Sequence, residues 1–398
     1  MKPTANMILF DDIGHESLLP LTFTRPVAEI RIGITTIKEK WESLAHLECS
    51  YFTKEYLSKK FPAKFEDDNL FINASVIPNE NLVDAVSKLK KGELLVGDET
   101  VIAYRSSEHV DTEEKDGLKA FKAWQYSPNF ICIKNIWDIF EFNEILIIED
   151  FKRLTKGRKT QKLSETNKLF NKNNIFVEEG AKVECSILNA DTGPIYIGRD
   201  TEIMEGAVVR GPHALCEHST IKIGAKIYTG TTIGPHSKVG GEVHSSVFTG
   251  YSNKAHDGFL GNAVLGEWCN LGADSNNSNL KNNYAKVKMW SYIKERFIDT
   301  GLQFCGLVMG DHSKCGINTM FNTGTVIGVS ANIYGSGFPR NFIPSFSWGG
   351  AGGFILYKPE KAFETAEIAM ARRGHSLSND DMAILQHIFN ITEKYRKF

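Results

Sequence analysis

Two places in this 398-residue chain hold residue types at spacings that could do chemistry on their own. The first is a set of histidines. His213 and His218 lie five residues apart, and His236 follows His218 by eighteen. If eighteen residues make one turn of a regular fold, His218 and His236 stand one above the other, and with a third ligand at the proper depth they could serve a zinc site between subunits. The other reading is a column of surface histidines without metal. The second place is a loop near the N-terminus. Asp11 and Asp12 end the apolar run Met7 to Phe10, and Arg25 and Arg31 follow. Adjacent carboxylates could hold a divalent cation, and guanidinium groups could hold the phosphates of a nucleotide. Alternatively, the aspartates cap the loop and the arginines form surface ion pairs.

The elements that must position these residues are of two kinds. From Ile197 an aliphatic residue returns every six positions, at Ile203, Val209, Leu215, Ile221, Ile227, Ile233 and Val239. The fifth place of each hexad is mostly small (Thr201, Ala207, Ser219, Ala225, Thr231, Ser237), broken by His213 and Val243. A period of six fits neither a helix nor a simple strand alternation. It fits a chain that turns a corner every six residues, so that three hexads close a triangular coil and each aliphatic residue stacks on its equivalents: a parallel β-helix. The pattern starts imperfectly near Ile175 and returns at Met309, Cys315, Phe321, Ile327 and Ile333. The break from Asp274 to Cys305 predicts an insertion on one face of the solenoid, a usual place for a site.

Residues 1–160 read differently. Apolar runs at Met7 to Phe10, Leu70 to Ile72, Leu94 to Val96 and Val101 to Ala103 alternate with helical stretches, which predicts a mostly parallel, Rossmann-like α/β sheet. Ligands of such sheets sit beyond the carboxyl ends of the strands, at the Asp11 to Arg31 loop. The Ile- and Phe-rich stretch from Trp137 to Glu149 is expected to complete this domain, with the basic stretch 161–174 as a linker, a solenoid over 175–357 and two helices over 358–398 capping its open end. The run from residue 346 to 354, rich in glycine, is expected to be a flexible loop.

Composition narrows the class. A net charge of -2 with 42% hydrophobic residues gives no general pull toward nucleic acid or membrane. Seven cysteines, odd in number and never spaced as C-x-x-C, suggest reduced thiols in a cytoplasm. The first residues are too short in apolar character for a signal peptide, and no apolar run is long enough to span a membrane.

Two motifs carry a family resemblance. Leu18-Leu19-Pro20-Leu21-Thr22-Phe23-Thr24-Arg25-Pro26 resembles the L-x-P-L-T segment of sugar-1-phosphate nucleotidyltransferases. The family's Gly-rich loop, its lysine and its Mg²⁺-binding Asn-Gly-Asp are replaced here by Ile13 to Ser17, Val27 and Asn73-Ala74-Ser75. The run Tyr251 to Asn262, with Gly266-Glu267, Asn270-Leu271-Gly272-Ala273 and Asn279-Leu280-Lys281, resembles hexapeptide-repeat acyltransferases. Together the two halves look like a divergent bacterial branch of the bifunctional glucosamine-1-phosphate acetyltransferase and N-acetylglucosamine-1-phosphate uridyltransferase family.

That resemblance implies a left-handed β-helix, a homotrimer with sites between adjacent solenoids, and small-molecule substrates on the route to UDP-N-acetylglucosamine. The substrates would be acetyl-CoA, an amino-sugar 1-phosphate and UTP, the last with Mg²⁺. Carried over by position, His256 is the catalytic base, Asn279 contacts the acetyl group, and Phe259 and Asn270 contact the sugar. Tyr251, Lys254 and Lys281, within the matched segments, add further substrate-binding candidates. Arg25 and Arg31 would serve the nucleotide phosphates, and Asp11 and Asp12 the metal. A histidine with a pKa of about 6.5 can take the proton of an attacking amine at neutral pH. Two other readings stand beside this one. In one, the N-terminal domain is a non-catalytic sugar-nucleotide sensor or assembly module. In the other, the chain is a zinc hydratase scaffold built on His213, His218 and His236.

Overall fold

The computed structural model describes residues 5–112 and 117–398. The chain forms two compact units, one of Met1–Ile30 with Thr35–Ile136, the other of Arg31–Ile34 with Trp137–Phe398.

The first unit is built on a six-stranded sheet whose spatial order is Cys49–Phe52, Asn6–Phe10, Asn69–Asn73, Thr100–Ser106, Glu93–Gly97, Lys122–Gln125. Asn6–Phe10 pairs in parallel with both its neighbours. The sheet is mostly parallel, as expected: five strands run the same way, and Thr100–Ser106 alone runs against them, antiparallel to Asn69–Asn73 and, through a hairpin, to Glu93–Gly97. The hairpin turn is Asp98-Glu99, both at positive φ (45° and 63°), and a two-residue turn of that type permits only antiparallel pairing. Ile8, Phe10, Phe71, Leu94 and Tyr104 pack one face, with Phe71 and Tyr104 stacked at 4.9 Å.

The second unit is a parallel β-solenoid with three faces, whose sheets hold nine, ten and six strands. The hexad residues point inward as expected. On the first face Ile197, Leu215 and Ile233 stack in register; on the second, Ile203, Ile221 and Val239; on the third, Val209 and Ile227. All are buried in one continuous core. Each buried aliphatic side chain contributes roughly 1.5–3 kcal/mol, but only when a neighbouring coil covers it.

The period shortens after Val239. Ile221 to Val239 spans eighteen residues, whereas Val239 to its partner above, Lys254, spans fifteen. Val243, a break in the fifth-place pattern, is an inward residue between Ile227 and Leu260. Gly241 makes the shortcut possible. It sits at φ +71°, and a Cβ there would lie 2.7 Å from the Gly258 carbonyl and 2.9 Å from that of His256.

Four boundaries differ from the sequence expectation. Helix Asn143–Thr155 packs on the solenoid, not in the α/β unit, so the division falls after Ile136 and not near residue 160. Buried polar groups anchor it. Asn143 accepts from the Gly33 amide (2.7 Å) and donates to the Gly230 carbonyl (2.8 Å) and the Thr232 hydroxyl (3.0 Å), while Asp150 accepts from the Ile34 amide (2.8 Å). The expected linker already holds a strand, Lys168–Phe170, paired with Ile187–Asn189. The insertion starts later than Asp274, because Asn276–Asn277 still pairs with Met320–Phe321; beyond it, Lys288–Ser291 and Arg296–Asp299 form a hairpin. The glycine-rich run is not a free loop: Ser347–Gly350 and Gly353–Leu356 pair antiparallel at the end of the second face.

The C-terminal helices are Pro359–Ala371 and Asn379–Ile391, the latter starting with the expected capping box of Ser378 and Asp381. They do not simply cap the open end. The first runs back along the second face, where Arg373 donates to the His236 carbonyl (3.1 Å) and to the Asn253 side chain (3.2 Å).

Candidate functional site

On the second face, strands Lys238–Val239, Asn253–Lys254, Asn270–Leu271 and Lys314–Cys315 lie side by side. Side chains of a strand alternate, so Val239, Lys254, Leu271 and Cys315 point in, while Lys238, Asn253, Asn270 and Lys314 point out. Helix Pro359–Ala371 and the two arginines that follow it cover this outward row. Between them lies a cleft of about 840 Å³, lined by Lys238, Asn270, Lys314, Arg372, Arg373 and the exposed His256 among others, with no carboxylate in its lining. Burial pushes the Lys314 ammonium below its ordinary pKa; burial and the neighbouring Arg373 do the same for Lys238. Four cations in one cleft, the two lysines at a cost in solvation, fit a polyanionic ligand.

One margin of the cleft is a column of rings. His218, His236, Tyr251, Trp268 and His312 occupy the same corner of successive coils, each at positive φ (52° to 60°). Their rings stack with centroids 4.7, 4.7, 4.4 and 6.4 Å apart, and His375 meets Tyr251 edge-on at 5.1 Å. The eighteen-residue spacing of His218 and His236 is therefore a stacking register. His213 lies fully buried in the strand His213–Leu215, where burial pushes its pKa down to about 3. The three histidines do not converge, and no group of three or more His, Cys, Asp or Glu among the described residues could hold a metal. Within one chain, therefore, these histidines form no zinc site.

At the opposite corner the chain turns through His256, Asp257 and Gly258 into the strand Phe259–Gly261 of the third face. Lys254 does not face a substrate. Its side chain is 1% exposed, in the inward column, and its ammonium donates to the carbonyls of Gly240 (3.1 Å) and His256 (2.7 Å).

Phe259 and Asn279 form a separate group. A Cβ on Gly261 would lie 2.6 Å from the Phe259 ring and 2.7 Å from the Asn279 amide nitrogen, so both cover that glycine on the third face. The Asn279 amide donates to Asn262 (2.9 Å). Asn276 and Asn277 accept from the Phe259 and Gly261 amides (2.7 and 2.8 Å), fixing the strand. Lys281 donates to the Lys286 carbonyl within the insertion (2.8 Å). Tyr251, His256 and Asn270 thus share the cleft, while Phe259, Asn279 and Lys281 do not line it. Sequence reasoning missed Lys238, Lys314, Trp268, Arg372 and Arg373. For the two lysines a signal existed, since each directly precedes an inward residue and so must point outward.

In the α/β unit the carboxylates are already engaged. Asp11 accepts from the Val27 amide (2.9 Å) and the Thr53 hydroxyl (2.5 Å), and lost solvation raises its pKa to about 7. Asp12 accepts from the Gly14 amide (2.8 Å) and the Asn73 side chain (2.7 Å). Ile13 to Ser17 is no open cradle: Gly14–Ser17 is a helical turn, and a Cβ on Gly14 would lie 2.2 Å from the Ser75 hydroxyl. Both carboxylates thus already accept from N–H or O–H donors in this structure. Arg25 is buried, with its guanidinium 3.5 Å from the Thr24 hydroxyl. Arg31 belongs to the solenoid unit, where it donates to the carbonyls of Thr249 (3.1 Å) and Ile34 (2.5 Å), acting as a strut and not as a free phosphate ligand.

Residues 7–159 match the family model described as sugar nucleotidyl transferase. The family model extends past the first compact unit, across helix Asn143–Thr155. The chain is 26% identical over 265 residues to the bifunctional sugar-1-phosphate nucleotidylyltransferase/acetyltransferase of Sulfurisphaera tokodaii, covering 65% of this chain and 59% of that protein. It is 28% identical over 260 residues to the bifunctional protein GlmU of Methanocaldococcus jannaschii, covering 63% and 55%. The matches thus span less than two thirds of either relative's own length. Among solved structures, a UDP-N-acetylglucosamine acyltransferase from Campylobacter jejuni aligns at 12% identity and a TM-score of 0.25, covering 59% of this chain and 83% of that one. No helix among the described residues is long and apolar enough to cross a membrane.

Proposed function

We propose that this protein transfers an acetyl group from acetyl-CoA to the amine of an amino-sugar 1-phosphate, with glucosamine 1-phosphate as the leading substrate. The observation that carries the reading is the exposed imidazole of His256 at the rim of a cleft lined by four cations and no carboxylate. Both substrates are phosphorylated, and Lys238, Lys314, Arg372 and Arg373 offer their phosphates charge-assisted hydrogen bonds. His256 takes a proton from the amine as its nitrogen attacks the thioester carbonyl. A C–N bond forms, the C–S bond breaks, and the departing sulfur takes up the proton as a free thiol. Asn270, two registers above Lys238 on the same outward row, is placed to orient a sugar hydroxyl. Asn279 lies on another face of the same chain, so its expected contact with the acetyl group calls for a neighbouring copy, in keeping with a trimer.

For the α/β unit the engaged Asp12 and the closed Gly14 turn favour a sugar-nucleotide-binding or assembly role over uridylyl transfer. A single assay offering acetyl-CoA, glucosamine 1-phosphate and UTP, read separately for free thiol and for pyrophosphate, tests both statements. Thiol without pyrophosphate is expected. Absence of thiol refutes the acetyl transfer, and pyrophosphate refutes the binding role. His256→Ala should lower thiol release by roughly 10²- to 10⁴-fold, the usual worth of a general base, while leaving the assembly intact.

A further inference from the structure

Every other described residue in the inward column of the second face is uncharged: Val183, Ile203, Ile221 and Val239 below Lys254, and Leu271, Cys315, Ile333 and Gly349 above it. A lysine in that register carries a desolvation cost that an aliphatic residue would not. Something at this one coil must use the ammonium. Its two acceptors are the Gly240 and His256 carbonyls, on successive coils, so the side chain ties the corner that carries His256 to the coil beneath. Position 241 of the lower coil cannot supply such a side chain, because a Cβ there would lie 2.9 Å from both Asp257 Cα and the His256 carbonyl.

We propose that Lys254 is a positioning residue for His256: from inside the solenoid its ammonium clamps the peptide that follows His256 and so sets the direction of the imidazole in the cleft. The proposal rests on the acetyl-transfer reading for its catalytic consequence, but not for its structural one. The groups facing the ammonium are the corner residues Asp257 and Asp274, whose carboxylates favour its charge, and the buried Cys315 thiol, which stays protonated. Lys254→Met keeps the length and apolar stem and removes only the charge and the donor.

The test joins two readouts on the full chain. Hydrogen exchange, read on a peptide covering residues 252–261, should be about tenfold faster in Lys254→Met than in wild type, with a peptide from the lower coils unchanged. Thiol release should fall on the order of 10²-fold in kcat with KM for acetyl-CoA nearly unchanged, the cost of a misplaced catalytic group. Unchanged exchange over 252–261 overturns the proposal whatever the activity. Faster exchange with undiminished kcat overturns the positioning role. If wild type releases no thiol, the acetyl-transfer reading has failed and exchange alone judges the clamp. Should the variant not fold, wild-type protein decides: protection of the same peptide, corrected for intrinsic exchange, should rise between about pH 7 and about pH 9, because the released amine holds its proton more tightly than the clamped one, and constant protection overturns the clamp.

Discussion

Lys254 also makes a thermodynamic prediction that needs no substrate. Burial lowers its pKa from the ordinary 10.5 to about 8, partly opposed by Asp257, Cys315 and Asp274. At about 1.36 kcal/mol for each tenfold change in proton affinity, that difference corresponds to about 3 kcal/mol. Below pH 8 the side chain is charged both folded and unfolded, and the folded state bears the whole cost. Between about pH 8 and about pH 10.5 the folded protein has released the proton that the unfolded chain still holds, so stability contributed by this residue rises with pH. Lys254→Met has no such term. Urea unfolding of both proteins at about pH 7, 8, 9 and 10 should therefore show the stability difference moving by about 3 kcal/mol in favour of wild type as pH rises. Taking the difference between the two proteins cancels the other titrating groups. A difference that stays constant within about 0.5 kcal/mol would refute the burial of a chargeable amine at this position.

Asn143→Ala should remove one acceptor and two donor contacts and strand the Gly33 amide and Gly230 carbonyl; at ~1–3 kcal/mol for each unsatisfied buried group, a loss of about 3 kcal/mol in urea unfolding is expected. A loss below about 1 kcal/mol would mean that water replaces the amide. Asp11, with its pKa raised from 3.8 to about 7, should make wild type lose stability as pH rises from about 4 to about 7, since the folded state holds the proton longer. Asp11→Asn should abolish that slope, and a slope unchanged in the variant would show the carboxyl to be solvated.

The repeat was legible because one residue class at one period has a single structural use. Eight aliphatic residues from Ile197 to Val239 stack as the hexads require. The position of Lys254 was not, although the arithmetic was available: a side chain fifteen residues after Val239 is inward only if a coil is short, and nothing but the pair Gly240-Gly241 signals that. A lysine beside a motif histidine reads as a surface contact until the register is known. Helix Asn143–Thr155 lies within the stretch the family model covers but packs with the solenoid, and its contacts were not legible for another reason. Its Ile and Phe content marks it as buried but not against what, and its packing is fixed by Asn143, which donates to Gly230 and Thr232, and by Asp150, which accepts from Ile34, all more than eighty residues away in sequence. The cleft was half legible. His256, Asn270 and Tyr251 came from the motif, while Arg372 and Arg373 reach it only because the last helices run along the second face.

The four residues Arg31–Ile34 belong to the solenoid while the chain on either side of them belongs to the α/β unit. No single cut can therefore separate the two. A fragment beginning at residue 137 would keep Asn143 and Asp150 but lose the Gly33 and Ile34 amides that satisfy them, and one ending at residue 136 would carry a strap with nothing to bind. Dissecting this protein, or exchanging one half between relatives, requires moving that strap with the solenoid it belongs to. The two units are thus interleaved along the chain, not joined end to end.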